Sequence, residues 1–177
     1  MDGVTRKLGE AAEDIPEDAL KIDIDGKVYL LHHSRTRLEV GEKILASGSP
    51  GLKQSTAGDA FAGFSYGWDA RDPEAVTNAI RGGGFSNDNP SPHVYITVAD
   101  ESQIHPDLNV PNSLSRAVRG EQTILASISR LPNESVEDFS VRIRDKLGVL
   151  GRDLGVDLSP RTVEESALVN LRIDCIR

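Results

Sequence analysis

The sequence predicts a single-domain α+β fold with mainly antiparallel strands, and three observations carry that prediction. The chain has 177 residues, 38% hydrophobic and 27% charged, which suits one globular domain with a real core. Its strand-like runs, "LKIDIDGKVYLLHH", "SPHVYITVAD" and "QTILASISRL", are short and bounded by turn residues. Its helical patterns fall irregularly between them, without the regular strand–helix alternation of a doubly wound parallel sheet. Aromatic residues make up 5%, so the core is expected to be mostly aliphatic.

Residues 3–13 are expected as a short helix ending before Pro16. Ile22 and Ile24 then alternate with charged residues, and Asp25-Gly26 is a favourable two-residue turn because Gly tolerates positive φ. Val28 to His32 return as the second strand of that hairpin. Residues 47–67 are rich in Ser, Gly, Thr and Ala, which predicts a loop or insertion. In "DPEAVTNAIRGGGF", Asp72 suits an N-cap, Pro73 the first helical position, and Val76, Ala79 and Ile80 form an apolar stripe. Gly82 to Gly84 stop that helix. Residues 93–99 form a strand, "NSLSRAVRG" a short helix capped by Asn112, and "QTILASISRL" a further strand. The longest helical pattern follows, with Val136, Phe139, Ile143, Leu147, Leu150 and Leu154 at intervals of three or four. Gly148 and Gly151 each weaken it by about 1 kcal/mol relative to Ala. "SALVNLRIDCI" is expected as a final strand.

Net charge is −8, which disfavours non-specific binding to nucleic acid or an anionic membrane but leaves room for a local basic pocket. A lone cysteine, Cys175, excludes a disulfide within the chain and a cysteine-based zinc site. The polar, acidic start has no apolar signal core and no run reaches membrane-spanning length. A cytoplasmic location is expected, with a secreted effector as the alternative.

The chain carries no phosphate-loop, dinucleotide-fingerprint, zincin or nucleophile-elbow motif. Its four histidines include an adjacent pair, His32 and His33, ending an apolar run. Neighbouring strand residues point to opposite faces, so the two cannot readily share a metal ion and only one can face a given cleft. No metal is expected.

Read as a pattern, this stretch is more specific. Leu31-His32-His33-Ser34 followed by Leu38-Glu39-Val40-Gly41-Glu42-Lys43-Ile44 resembles the NAD-dependent ADP-ribosyltransferase superfamily, in its histidine–tyrosine branch. That branch includes the small rifamycin-inactivating ADP-ribosyltransferases. Their first strand ends Tyr-His-Gly-Thr and continues Leu-x-x-Gly-Asp/Glu-x-Leu/Ile. His93-Val94-Tyr95-Ile96-Thr97 is similar to the family's next core strand, His-Ile-Tyr-Phe-Ser. "SPRTVEESALVNLRI" is a weaker likeness to a Tyr-Arg-Thr-x-Glu-Pro-Leu segment. The three patches cover about a third of the chain and leave residues 49–92 as an insertion. Within it, "YGWDARDPEAV" is similar to the opening motif of the arginine-type branch, Tyr-Arg-Trp/Tyr-Asp-x-Arg-x-Pro. Gly67 stands where that branch carries its NAD-binding arginine.

The resemblance implies mainly antiparallel split β-sheets with flanking helices. It implies NAD as substrate and mono-ADP-ribosyl transfer to an unknown protein or small-molecule acceptor, with nicotinamide release. His32 would hydrogen-bond the NAD ribose or phosphate, the His33 backbone would clamp the nicotinamide amide, and Ser34 would shape that end of the cleft. Tyr95 would stack on nicotinamide and Thr97 would place a hydroxyl nearby. An acid would stabilise the cationic ribose: Glu134, Glu137 or Asp138, with Glu164 and Glu165 as rivals. First-turn carboxylates are also ordinary companions of a helix dipole. Two other functions compete. An RNA 2′-phosphotransferase on the same fold is disfavoured by Tyr95 at a histidine position and by the acidic charge. A non-catalytic module of this fold that binds a protein partner is favoured by Gly67 and by the unsettled acid.

Overall fold

The computed structural model describes residues 21–45, 65–82, 84–106 and 115–175. The strands are β1 (Lys27–Ser34), β2 (Lys43–Ile44), β3 (Ser65–Asp69), β4 (His93–Asp100), β5 (Ile104–Pro106), β6 (Ser115–Val118) and β7 (Gln122–Ser129). The helices are α1 (Ala75–Arg81), α2 (Val136–Leu154) and α3 (Val163–Cys175). The strands form one sheet in the order β2-β7-β4-β1-β3-β6-β5, and every pairing is antiparallel. The α+β, antiparallel expectation holds. None of the described helices is long and apolar enough to cross a membrane.

The centre of the sheet is β1 against β4, paired from Lys27↔Asp100 to Ser34↔His93. The turn before β1 has Asp25 at φ 52° and Gly26 at φ 79°, the two positive values of a type I′ turn. The expected hairpin is shorter than its sequence suggests: before the turn only Ile24 bridges, to Lys27. On its other side β1 pairs with β3 at Leu30↔Asp69 and Leu31↔Trp68 only. His32 to Ser34 are paired to β4 alone, so β1 and β3 part beyond Leu31.

Leu31, Val94 and Ile96 face α1 and α2 across a core completed by Ala79, Ile80, Phe139, Ile143 and Leu147. Each large aliphatic or aromatic side chain buried there contributes about 1.5–3 kcal/mol. The opposite face carries Val28 and Leu30 with Val118, and Tyr95 with Ile44 and Ile124. The register of β7 against β4 shifts between Ile96 and Thr97, where Ile96 pairs with Ala126 but Thr97 pairs with Ile124. Leu125 is therefore the extra residue of a β-bulge. Ala126 consequently joins the helix-side core while Ile124 joins the opposite one.

α2 starts at Ser135, whose hydroxyl accepts from the Asp138 N–H at 3.1 Å, and stops at left-handed Gly155. Its stripe is buried from Phe139 to Leu147, and the stripe runs out at Leu154, which is 46% exposed. α1 begins at Ala75, two residues later than Pro73 suggests; the Asp72 carboxylate instead accepts from the Glu74 N–H at 3.0 Å.

Three expectations are corrected. "SALVNLRIDCI" belongs to helix α3 instead of a strand. Thr162 and Glu165 close a reciprocal capping box, Glu165 N–H to the Thr162 hydroxyl at 3.1 Å and Thr162 N–H to the Glu165 carboxylate at 3.0 Å. "NSLSRAVRG" contains strand β6 instead of a helix, because Ser115 to Val118 pair with β3 and Arg116 to Val118 also with β5; Asn112 lies outside the described residues. Residues 65–69 form an inner strand of the sheet, although composition reads residues up to 67 as loop. The helix expected at 3–13 also lies outside the described residues, as do residues 46–64 of the expected insertion.

Candidate functional site

The parting of β1 and β3 leaves backbone groups that the sheet ladder no longer pairs. His32 fills that gap. Its Nδ1–H donates to the Tyr66 carbonyl oxygen at 2.7 Å. A carbonyl only accepts, so the proton must lie on Nδ1 and Nε2 keeps its lone pair. Burial lowers the His32 pKa from 6.5 to about 4, against the Tyr66 hydrogen bond, which raises it. The ring is neutral at pH 7, with its tautomer fixed by the fold.

The same carbonyl accepts from Gln122 Nε2 at 3.2 Å, and that amide also donates to the Ser65 hydroxyl at 2.9 Å. Gln122 Oε1 accepts from the Thr97 hydroxyl at 2.8 Å. Thr97, Gln122, Ser65, Tyr66 and His32 thus form one polar network across four strands. The bulge at Leu125 makes it possible, by turning this end of β7 so that Gln122 shares the face of Thr97. Gln122 is a residue that the sequence reading missed; its signal is a polar side chain at a buried position of an otherwise apolar alternation.

His33 leaves the strand on the helix side. Its Nδ1–H donates to the Ala79 carbonyl at 2.8 Å, and its ring lies edge-on at 4.8 Å from both Trp68 and Phe85. Burial lowers its pKa as well. The two imidazoles therefore take opposite faces and separate partners, with ring centres 6.5 Å apart. Ser34 accepts from the Thr36 N–H at 3.0 Å, which tightens the turn out of β1.

Tyr95 pairs with His32 across the β1–β4 ladder, and their ring centres are 6.4 Å apart. The tyrosine is 0% exposed. Its hydroxyl donates to the Thr36 carbonyl at 2.6 Å and accepts from the Leu38 N–H at 2.9 Å. In this conformation the ring that the resemblance would stack on nicotinamide packs in the core beside Ile44 and Ile124, and its hydroxyl anchors the chain between β1 and β2. Thr97 is equally enclosed, its hydroxyl committed to Gln122.

The candidate acids lie apart from these side chains. Glu134 accepts from the Leu131 N–H at 3.0 Å and from Arg142 Nη1 at 2.7 Å, and its side chain is 7% exposed. It stabilises the entry to α2. Asp138 and Glu137 are exposed in the first turn of that helix. Glu165 belongs to the α3 capping box, and Glu164 is exposed. No contact joins any of these acids to His32 or Tyr95.

Gly67, Asp69 and Asp72 of the "GWDARDP" segment make packing and ion-pair contacts. Gly67 pairs with Arg116 in β6. A Cβ at Gly67 would lie 3.1 Å from Leu30 Cβ and 3.2 Å from the Leu31 carbonyl, so any side chain here would need β1 to give way by a few tenths of an ångström. Asp69 forms a 2.6 Å ion pair with Arg161, the two side chains being 4% and 1% exposed. Arg161 also donates to the Lys21 carbonyl at 3.1 Å. Asp72 accepts a short hydrogen bond from the Ser166 hydroxyl, and burial raises its pKa.

An open cleft of about 530 Å³ adjoins the end of β1 and carries Arg35, Phe85 and Arg130. The Arg35 guanidinium lies 5.1 Å above the Phe85 ring that packs on His33. Despite the acidic chain, this cleft is lined by two cations and a single acid, Asp88. Among the described residues, no group of three or more His, Cys, Asp or Glu side chains could hold a metal ion. No protein-family model matches the chain, and no curated protein matches it either.

Proposed function

We propose that the chain is an ADP-ribosyltransferase-like domain that binds NAD and transfers its ADP-ribose to an acceptor, with His32 as the nucleotide contact. One observation carries this reading: a neutral imidazole of fixed tautomer stands where the sheet opens between β1 and β3, with Nε2 left as an acceptor. A ribose hydroxyl of NAD could donate to that nitrogen. The Arg35–Arg130 cleft beside the end of β1 supplies positive charge of the kind a pyrophosphate requires. In the transfer, the ribose–nicotinamide bond breaks and its electron pair leaves with neutral nicotinamide. The acceptor nucleophile then bonds to the ribose carbon and gives up its proton. The resemblance around His32 and His93 supports this assignment over other uses of the same site.

A second reading is a module of the same fold that binds a partner without turnover. The enclosed Tyr95, whose hydroxyl is occupied as donor and acceptor, favours it. Calorimetric titration with NAD tests the binding step on which the first reading depends. Saturable binding by the wild type, weakened at least tenfold in His32→Ala and in Arg35→Ala, is expected. No heat with NAD at millimolar concentration would favour the second reading.

A further inference from the structure

A second cavity, of about 510 Å³, lies between α1, α2 and the 155–160 turn. That volume falls in the range of small-molecule pockets, roughly 300–1,000 Å³. Its walls are aliphatic: Ala70, Val76, Leu147, Val156 and Leu158.

Gly148 lines this cavity, in the middle of a 19-residue helix, where glycine is disfavoured. Packing does not demand it. A Cβ at Gly148 would meet only Arg152 Nη1, at 3.9 Å, whereas one at Gly151 would lie 2.8 Å from the Val156 carbonyl. Gly151 is required by a close approach; Gly148 only keeps the cavity open.

The cavity is lined by two acids and two arginines, which differ in how they are engaged. Asp72 is held by Ser166 and by the Glu74 N–H, and Asp157 by Ser159 and Arg71. Arg144 and Arg152 lie four residues to either side of Gly148 on the same flank of α2. Neither has an ion-pair partner among the described residues. An apolar chamber with engaged acids and two available guanidinium groups complements an apolar molecule bearing one anionic group.

We propose that this cavity binds a small amphipathic anion, its apolar body over Gly148 and its carboxylate or sulfonate at Arg144 and Arg152. This site is independent of the NAD reading. The test uses two fluorescent probes on the full chain: 1-anilinonaphthalene-8-sulfonate and its uncharged analogue N-phenyl-1-naphthylamine. The wild type is expected to bind the sulfonate saturably with one-to-one stoichiometry. Gly148→Leu fills the open space with a better helix former, so it should fold at least as stably while losing tenfold or more in affinity for both probes. Arg144→Gln combined with Arg152→Gln should weaken the sulfonate about tenfold and the uncharged probe less than twofold. Unchanged binding in Gly148→Leu, a stoichiometry well above one, or equal losses of both probes in the arginine variant would overturn the proposal. So would the absence of saturable binding.

Discussion

His32 donates its one N–H to the Tyr66 carbonyl, and this bond fixes its tautomer and position while burial sets its charge state. Its pKa is about 4 in the fold against an ordinary 6.5. Between those values the unfolded chain takes up a proton that the folded chain refuses. His32 therefore costs no stability above about pH 6.5, and stability falls as pH drops from there towards 4, by about 3 kcal/mol at most. Burial lowers the pKa of His33 as well, so its contribution has the same sign. Urea unfolding of the wild type and of His32→Gln between pH 7 and pH 4.5 checks this. The wild type should lose more stability on acidification than the variant, and equal slopes would contradict the assigned burial. That the two histidines divide between faces is visible in the sequence, because a period of two demands it. The partner of His32 is not visible there. Gln122 reaches it through a bulge, and the bulge leaves the buried positions 122, 124, 126 and 128 evenly spaced while moving half of them to the other face.

Local chemistry and local pattern disagree at α3 and β6, two of the three elements that differ from expectation. α3 follows Pro160, and its apolar residues are too few and too clustered to separate a helix from a strand by period. The Thr162–Glu165 capping box was the available sign. β6 is short, and only its two neighbours, β3 and β5, make it a strand. β4, β7 and α2 were legible because each carries enough residues for its period to show. α3 and its lead-in are tied to the rest by the Asp69–Arg161 pair, which is nearly fully buried. Removing one partner of such a pair leaves a buried charge uncompensated and costs about 3–5 kcal/mol. Arg161→Ala should therefore lower the unfolding free energy measured by chemical denaturation by that much, and Asp69→Ala by a similar amount. The double variant should recover part of the loss. A loss below 1 kcal/mol in either single variant would show that the pair does not anchor α3.

At the scale of the whole molecule, α1 and α2 cover one face of an antiparallel sheet, and the sheet opens beside its central strand. The general class follows from the sequence, because irregular helix placement argues against parallel crossovers. The inner place of β3 does not, since a five-residue strand at the end of a Ser- and Gly-rich stretch looks like loop. Nor does the enclosure of Tyr95, which depends on the chain between β1 and β2 folding back over it. The proposed activity rests on the opening at His32, and its most direct test is nicotinamide release from NAD, with cell lysate supplied as acceptor. Release by the wild type, reduced at least a hundredfold in a folded His32→Ala variant, is the predicted result. Undetectable release by the wild type, or equal release by both proteins, would contradict it.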